Sequence, residues 1–101
     1  MKSKISIVVP VYNSSLTLMS LFKEIYSEFI NKNKDFEVIF VNDSSKDESL
    51  DVLNKIYSEY PDKTTVISLK KNYGQQNAIL CGLRYCVYDL VVTMDDDLQN
   101  P

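Results

Sequence analysis

The chain has no histidine. That removes the commonest general base at neutral pH and the commonest transition-metal ligand. A metal bound here is therefore expected to be hard and held by oxygen: magnesium, manganese or calcium. Glycine and proline are scarce, at 2 and 3 residues of 101. There is no glycine-rich phosphate loop, and neither GxGxxG nor a P-loop occurs, which argues against a dinucleotide dehydrogenase or a P-loop ATPase. The two cysteines, Cys81 and Cys86, do not form a CxxC pair. Five positions apart on one helix, they would lie on different faces, so reduced thiols in the core are expected rather than a disulfide or a zinc site. No apolar run approaches the length of a membrane span. The run Ile5 to Val11 is too short for a signal peptide, and the chain is expected to be soluble and cytoplasmic. Fourteen acidic and 11 basic residues give a net charge of −3. Apart from Lys70-Lys71 the basic residues are scattered, so no basic face for nucleic acid is expected.

Hydrophobic residues make up 45% of the chain, enough for a real core in one domain or part of one. A chain of this length can bury roughly two-thirds of its unfolded surface. Four short apolar runs recur: Ile5–Val11, Phe36–Val41, Thr64–Leu69 and Leu90–Met94. Their near-continuous apolar character predicts strands covered on both faces, as in parallel sheets. Helical spacing lies between them. Leu18, Leu21, Phe22, Ile25 and Phe29 form one apolar stripe, and Leu50, Leu53, Ile56, Tyr57 and Tyr60 form a second. Ser45 followed by Glu48 reads as a capping box for the second helix, and Pro61 ends it. A third helix is predicted over Gln75 to Val87, with Ala78, Cys81, Gly82 and Tyr85 on one face. Glycine inside a helix costs about 1 kcal/mol against alanine, so Gly82 predicts close packing against the sheet. The order βαβαβαβ is that of an α/β, three-layer, Rossmann-like parallel sheet with right-handed crossovers.

In such sheets ligands bind beyond the carboxyl ends of the strands, near the point where strand order reverses. The residues there are Tyr12 and Asn13, then Asn42, Asp43 and Ser44, then Lys70, Lys71 and Asn72, then Asp95, Asp96 and Asp97. Every strand delivers polar groups to one edge. Adjacent carboxylates repel by about 1 kcal/mol in water and by several times that near a protein surface. A bound cation with oxygen ligands relieves this. Strand alternation sends Asp95 and Asp97 one way, with Gln99 next in the series, and Asp96 the other. The first two can share a cation, or the triplet can be an acidic loop without one. Asp96 is expected to face solvent or to accept backbone hydrogen bonds.

Four segments resemble family-two glycosyltransferases of the GT-A fold. Ile7-Val8-Val9-Pro10-Val11-Tyr12-Asn13 is similar to their opening strand, and Val41-Asn42-Asp43-Ser44-Ser45-Lys46-Asp47 to their second-strand motif. Leu69 to Ala78 and Asp95-Asp96-Asp97-Leu98-Gln99-Asn100-Pro101 look like the subgroup of dolichol-phosphate mannose synthase and the bacterial polyprenyl-phosphate glycosyltransferases. Each motif alone is weak. Together, in order and over nearly the whole chain, they are specific.

The resemblance implies a nucleotide-diphospho-sugar donor linked to UDP or GDP, a divalent cation (Mg2+ or Mn2+) and inversion at the anomeric carbon. It implies that Pro10, Tyr12 and Asp43 hold the nucleoside, Asp43 accepting hydrogen bonds from the base. Asn13 and Asp96 join that donor-binding set. Lys71 would meet the diphosphate, and Asp95, Asp97 and Gln99 match the metal and diphosphate positions. Asp95 and Asp97 would carry the catalytic charge stabilisation. The acceptor would be a lipid phosphate, such as a polyprenyl phosphate, or a cell-surface glycan. An anionic phosphate acceptor needs no strong base, in keeping with a chain without histidine. Three positions depart from the pattern: Ser14 and Ser15 stand where Glu is frequent, Ser44 replaces a common glycine, and Asp96 sits where a small residue is usual. The family's catalytic domain is roughly twice this length. Residues 1–101 are thus expected to be its N-terminal, nucleotide-sugar-binding part, with the acceptor half and any membrane segments past Pro101. The full-length protein is expected at the cytoplasmic face of a membrane, and the exposed docking surface predicts self-association. A non-catalytic nucleotide-sugar-binding module is the main alternative. A receiver domain would place acidic residues after the first strand, where Tyr12-Asn13 stand. A haloacid-dehalogenase-type phosphatase would have its DxD there too.

Overall fold

The computed structural model describes residues 4–96. The elements are β1 (Lys4–Val11), α1 (Leu18–Asn31), β2 (Asp35–Asn42), α2 (Ser49–Glu59), β3 (Thr64–Ser68), α3 (Gln75–Leu83) and β4 (Leu90–Thr93). The four strands form one parallel sheet in the order β3-β2-β1-β4. Strand order therefore reverses between β1 and β4, and their carboxyl ends frame the switch point where open α/β sheets bind ligands.

Alternation along the central strands divides the core. Ile5, Ile7, Val9 and Val11 of β1 and Phe36, Val38 and Phe40 of β2 point to one face. There they meet Leu18, Leu21, Phe22 and Ile25 of α1 and Leu53 and Ile56 of α2. Phe22, Tyr26 and Tyr60 add a ring cluster with centroids 4.9 to 6.1 Å apart. Ile39 and Val41 point to the other face, toward Ala78 of α3. Cys81 and Cys86 pack against this smaller cluster as free thiols. Gly82 explains how α3 sits so close: a Cβ there would lie 2.6 Å from Val8 Cγ1 and 3.1 Å from Val41 Cγ2.

Several expectations need correction. The run Leu90–Met94 is not covered on both faces: β4 is an edge strand with Leu90 55% and Val92 37% exposed. Its one partner is β1, and among the described residues no helix covers its outer flank. Leu80, Leu83, Tyr85 and Val87, in α3 and the segment after it, are exposed as well. The capping box does not form. Glu48 occupies the cap of α2 without a side-chain bond. Ser45 Oγ is instead drawn to the Asn13 N–H at 3.0 Å, and Asp47 Oδ1 takes the Ser49 N–H at 2.9 Å. Tyr57 projects outward, 47% exposed. α3 ends at Leu83, four residues early, because Arg84, Tyr85 and Cys86 donate to the carbonyls three residues back. That tighter winding closes the helix and takes Tyr85 off its apolar face.

Candidate functional site

The strand ends build a cleft of about 380 Å³, within the range of roughly 300–1,000 Å³ usual for small-molecule sites. Pro10, Val11 and Tyr12 line it from β1 and Asp43 from β2. Asn72, Gly74 and Gln75 line it from the start of α3, and Asp95 and Asp96 from beyond β4. Pro10 is buried at the end of its strand, whereas Tyr12 is 42% exposed.

Asp43 follows β2 directly and is 3% exposed. Its N–H donates to Val11 O at 2.8 Å, prolonging the ladder past the strand. Oδ1 accepts the Tyr73 N–H at 2.7 Å and Oδ2 the Gly74 N–H at 2.9 Å. A buried carboxylate needs such donors, and these two fix the β3–α3 loop against the end of β2. Gly74 can take this path because it adopts φ 92°, in the glycine-favoured region. Each carboxylate oxygen keeps a second lone pair for a donor in the cleft.

The β1–α1 and β2–α2 loops are laced together. Asn13, at φ 52°, accepts the Lys46 N–H at 2.8 Å through its side-chain oxygen. The Ser14 N–H donates to Ser49 Oγ at 2.9 Å and the Ser15 N–H to Asp47 Oδ2 at 3.2 Å. Burial pushes the Asp47 carboxyl up, but the donors of Ser49 and Ser15 outweigh it and hold it below its ordinary value of 3.8. Ser44 keeps the turn by entering the left-handed region itself, at φ 59°. Asn13 does not line the cleft. Lys71 is exposed on the loop after β3 and does not line it either.

Beyond β4 the acidic residues part company. Asp95 is exposed in the cleft, where Gln75 Nε2 approaches its Oδ1 at 3.4 Å. Asp96 turns to the β1–α1 loop and accepts the Tyr12 N–H at 2.9 Å, the backbone bonding expected of it. Asp97 and Gln99 lie outside the described residues, and no cluster of three acidic, cysteine or histidine ligands occurs among residues that are described. The donors available at the rim are oxygens, the chemistry a hard cation takes. Three residues at this rim were not expected from the sequence: Gln75, which lines the cleft, and Ser14 and Thr17, whose hydroxyls donate to Asp96. Their partners are distant in sequence, and no local pattern marks them.

The fold and cleft define an α/β domain that presents its ligand site at the strand ends. Its family follows from comparison: residues 6–101 match Glycosyl transferase family 2, and the chain belongs to that family. An undecaprenyl-phosphate 4-deoxy-4-formamido-L-arabinose transferase from Enterobacter sp. (strain 638) is 40% identical over 98 residues, 97% of this chain and 30% of that protein. The enzyme of the same name from Edwardsiella ictaluri (strain 93-146) is 36% identical over 96% of this chain and 30% of its own length. The chain thus spans about 30% of the curated relatives it matches. Among solved structures, the mannosyltransferase PcManGT from Pyrobaculum calidifontis, in complex with GDP-Man and Mn2+, superposes with a TM-score of 0.84. At 23% identity, over 96% of this chain and 28% of that one, it shows the fold. Glucosyl-3-phosphoglycerate synthase from Mycobacterium tuberculosis, in complex with Mn2+, UDP and phosphoglyceric acid, gives 0.72 at 27% identity, over 98% and 34% of the two chains. The architecture is a parallel α/β sheet shared with these GT-A glycosyltransferases, over part of their length.

Proposed function

We propose that residues 1–101 form the donor-binding part of an inverting glycosyltransferase that moves a sugar from a UDP- or GDP-linked donor to a polyprenyl phosphate. The carrying observation is the single cleft in which Tyr12, Asp43, Asp95 and Asp96 converge at the switch point. The names of the curated relatives support a lipid-phosphate acceptor over a glycan. The nucleotides and Mn2+ in the related structures support the donor class and the cation.

In this reading Pro10 and Tyr12 form the wall for the base and ribose. Asp43 accepts from the base with its free lone pairs while holding the loop that carries Asn72 and leads into α3 at Gln75. Asp95, with Asp97 and Gln99, would hold a Mg2+ or Mn2+ ion, whose chemistry is Lewis-acid neutralisation of the departing diphosphate. Asp95 and Asp97 are catalytic in that sense, and Lys71 adds positive charge on the same side. The whole protein works at the cytoplasmic face of a membrane, where its lipid acceptor lies. Among the described residues no helix is long and apolar enough to cross one.

Titration calorimetry with UDP and GDP, in Mn2+ or Mg2+ and again in EDTA, tests the proposal. Weak binding of one nucleotide that disappears in EDTA is the expected result. Equal heats in both would refute the cation's role, and no heat with either nucleotide would refute donor binding.

A further inference from the structure

The chemistry proposed above leaves the middle carboxylate of the triplet without a role. We propose that Asp96 is a positioning residue: it latches the β1–α1 loop to the end of β4 and so fixes the aim of Asp95. The aiming half of this proposal rests on the proposed function; the latch itself does not.

The last ladder bond of β4 runs from the Met94 N–H to Val8 O, at 3.0 Å. Past it, regular strand pairing no longer holds the backbone. Three bonds to the β1–α1 loop take its place. Asp96 Oδ2 accepts the Tyr12 N–H at 2.9 Å and the Ser14 hydroxyl at 2.5 Å. The Asp96 carbonyl accepts the Thr17 hydroxyl at 2.7 Å. Ser14 Oγ also lies 3.1 Å from Tyr12 O, but a hydroxyl has one proton. The shorter bond to an ionised acceptor is the stronger, so that proton belongs to Asp96.

Two consequences follow. The oxygen of Asp96 that faces the loop is filled by two donors, which leaves it a poor cation ligand. Asp95, meanwhile, is pinned from both sides, by the Met94 ladder bond before it and by the latch after it. Its carboxylate lies in the cleft, where Gln75 Nε2 is 3.4 Å from Oδ1. Outer partners of this kind commonly set metal affinity by holding a ligand in place.

The test uses Ser14→Ala, Asp96→Ala and the double variant, with two readouts. The first is amide hydrogen exchange at Tyr12 in metal-free protein. Asp96→Ala is expected to speed it about tenfold or more, as loss of a charge-assisted bond requires. Unchanged exchange there overturns the latch, whatever the protein binds. The second readout is affinity for Mn2+ alone. Both single variants are expected to weaken it, Asp96→Ala by about tenfold to a hundredfold, and the double variant no more than Asp96→Ala. A loss confined to Asp96→Ala, with Ser14→Ala at wild-type affinity, would make Asp96 a direct ligand and overturn the proposal. Wild-type affinity in both would overturn the aiming role. If the wild-type chain takes neither Mn2+ nor nucleotide, the proposed function fails and the aiming role with it, while exchange at Tyr12 still decides the latch. Ser14→Ala removes one partly buried hydroxyl and leaves the core untouched, so its result stands even if Asp96→Ala unfolds.

Discussion

Replacing Asp43 tests the joint between fold and site. Its two oxygens hold the Tyr73 and Gly74 amides at 2.7 and 2.9 Å in a nearly solvent-free position. Hydrogen bonds to a charged group contribute about 1.5–3 kcal/mol each. In Asp43→Asn one bond survives on the amide oxygen, and the NH2 group meets the other backbone donor head-on. We expect a loss of about 2 kcal/mol. Asp43→Ala frees both amides, but Gly74 N–H keeps Asn72 Oδ1 at 3.1 Å, so its loss should be about 3 kcal/mol rather than twice the full value. With a urea slope near the low end for small proteins, the Asn variant lowers the unfolding midpoint by roughly 1–2 M. Urea titration followed by circular dichroism reads this directly. Amide shifts in the Asn variant should move at Tyr73 and Gly74 and stay fixed in α1. A midpoint for Asp43→Asn within error of wild type would refute the reasoning, because the carboxylate would then not be holding that loop.

Gly82→Ala gains about 1 kcal/mol of helix propensity but drives a Cβ to 2.6 Å from Val8, an overpacking that costs about 1–3 kcal/mol. The thermal midpoint should fall, and adding Val8→Ala should cost less than it does in the wild-type background. Gly74→Ala meets no atom within 4 Å, yet φ 92° and ψ 156° lie where only glycine is at ease. Thermal unfolding should register a purely conformational loss of about 1–3 kcal/mol. Asp47 has a lowered folded pKa, so the stability it adds is present above its unfolded value and is lost as pH falls through the folded one. Asp47→Asn should therefore be less stable than wild type near neutral pH, with the gap closing in acid, as urea midpoints at about pH 7 and about pH 3 would show.

The layers of this fold are legible in the chain because single-strand and single-helix periodicities determine them. In β1, continuous apolar residues from Ile7 to Val9 suit a strand with both faces covered, and all three are buried. Gly82 announced a close approach, and Val8 supplies it. The convergence of Tyr12, Asp43 and Asp95 on one edge followed from strand direction alone. What stayed hidden depends on which loops become neighbours. Ser45 looked like a helix cap, but the parallel pairing of β1 with β2 brings the Asn13 amide to its hydroxyl first. Ser14 and Asp96 are 82 residues apart, and only the β1–β4 register sets one against the other. The end of α3 was hidden for a local reason: tightening of its last turn depends on backbone bonds that side-chain spacing does not report.

We propose that the cleft at the strand ends holds the donor through a divalent cation. Paramagnetic broadening of backbone amides by Mn2+, recorded with UDP or GDP present, tests it most directly. Broadening is expected to centre on Asp95 and Asp96, to spread to Tyr12 and Gly74, and to be reversed by EDTA. Broadening centred away from the strand ends, for example on α2 around Asp51 and Glu59, or absent altogether, would contradict donor binding through a cation at this cleft.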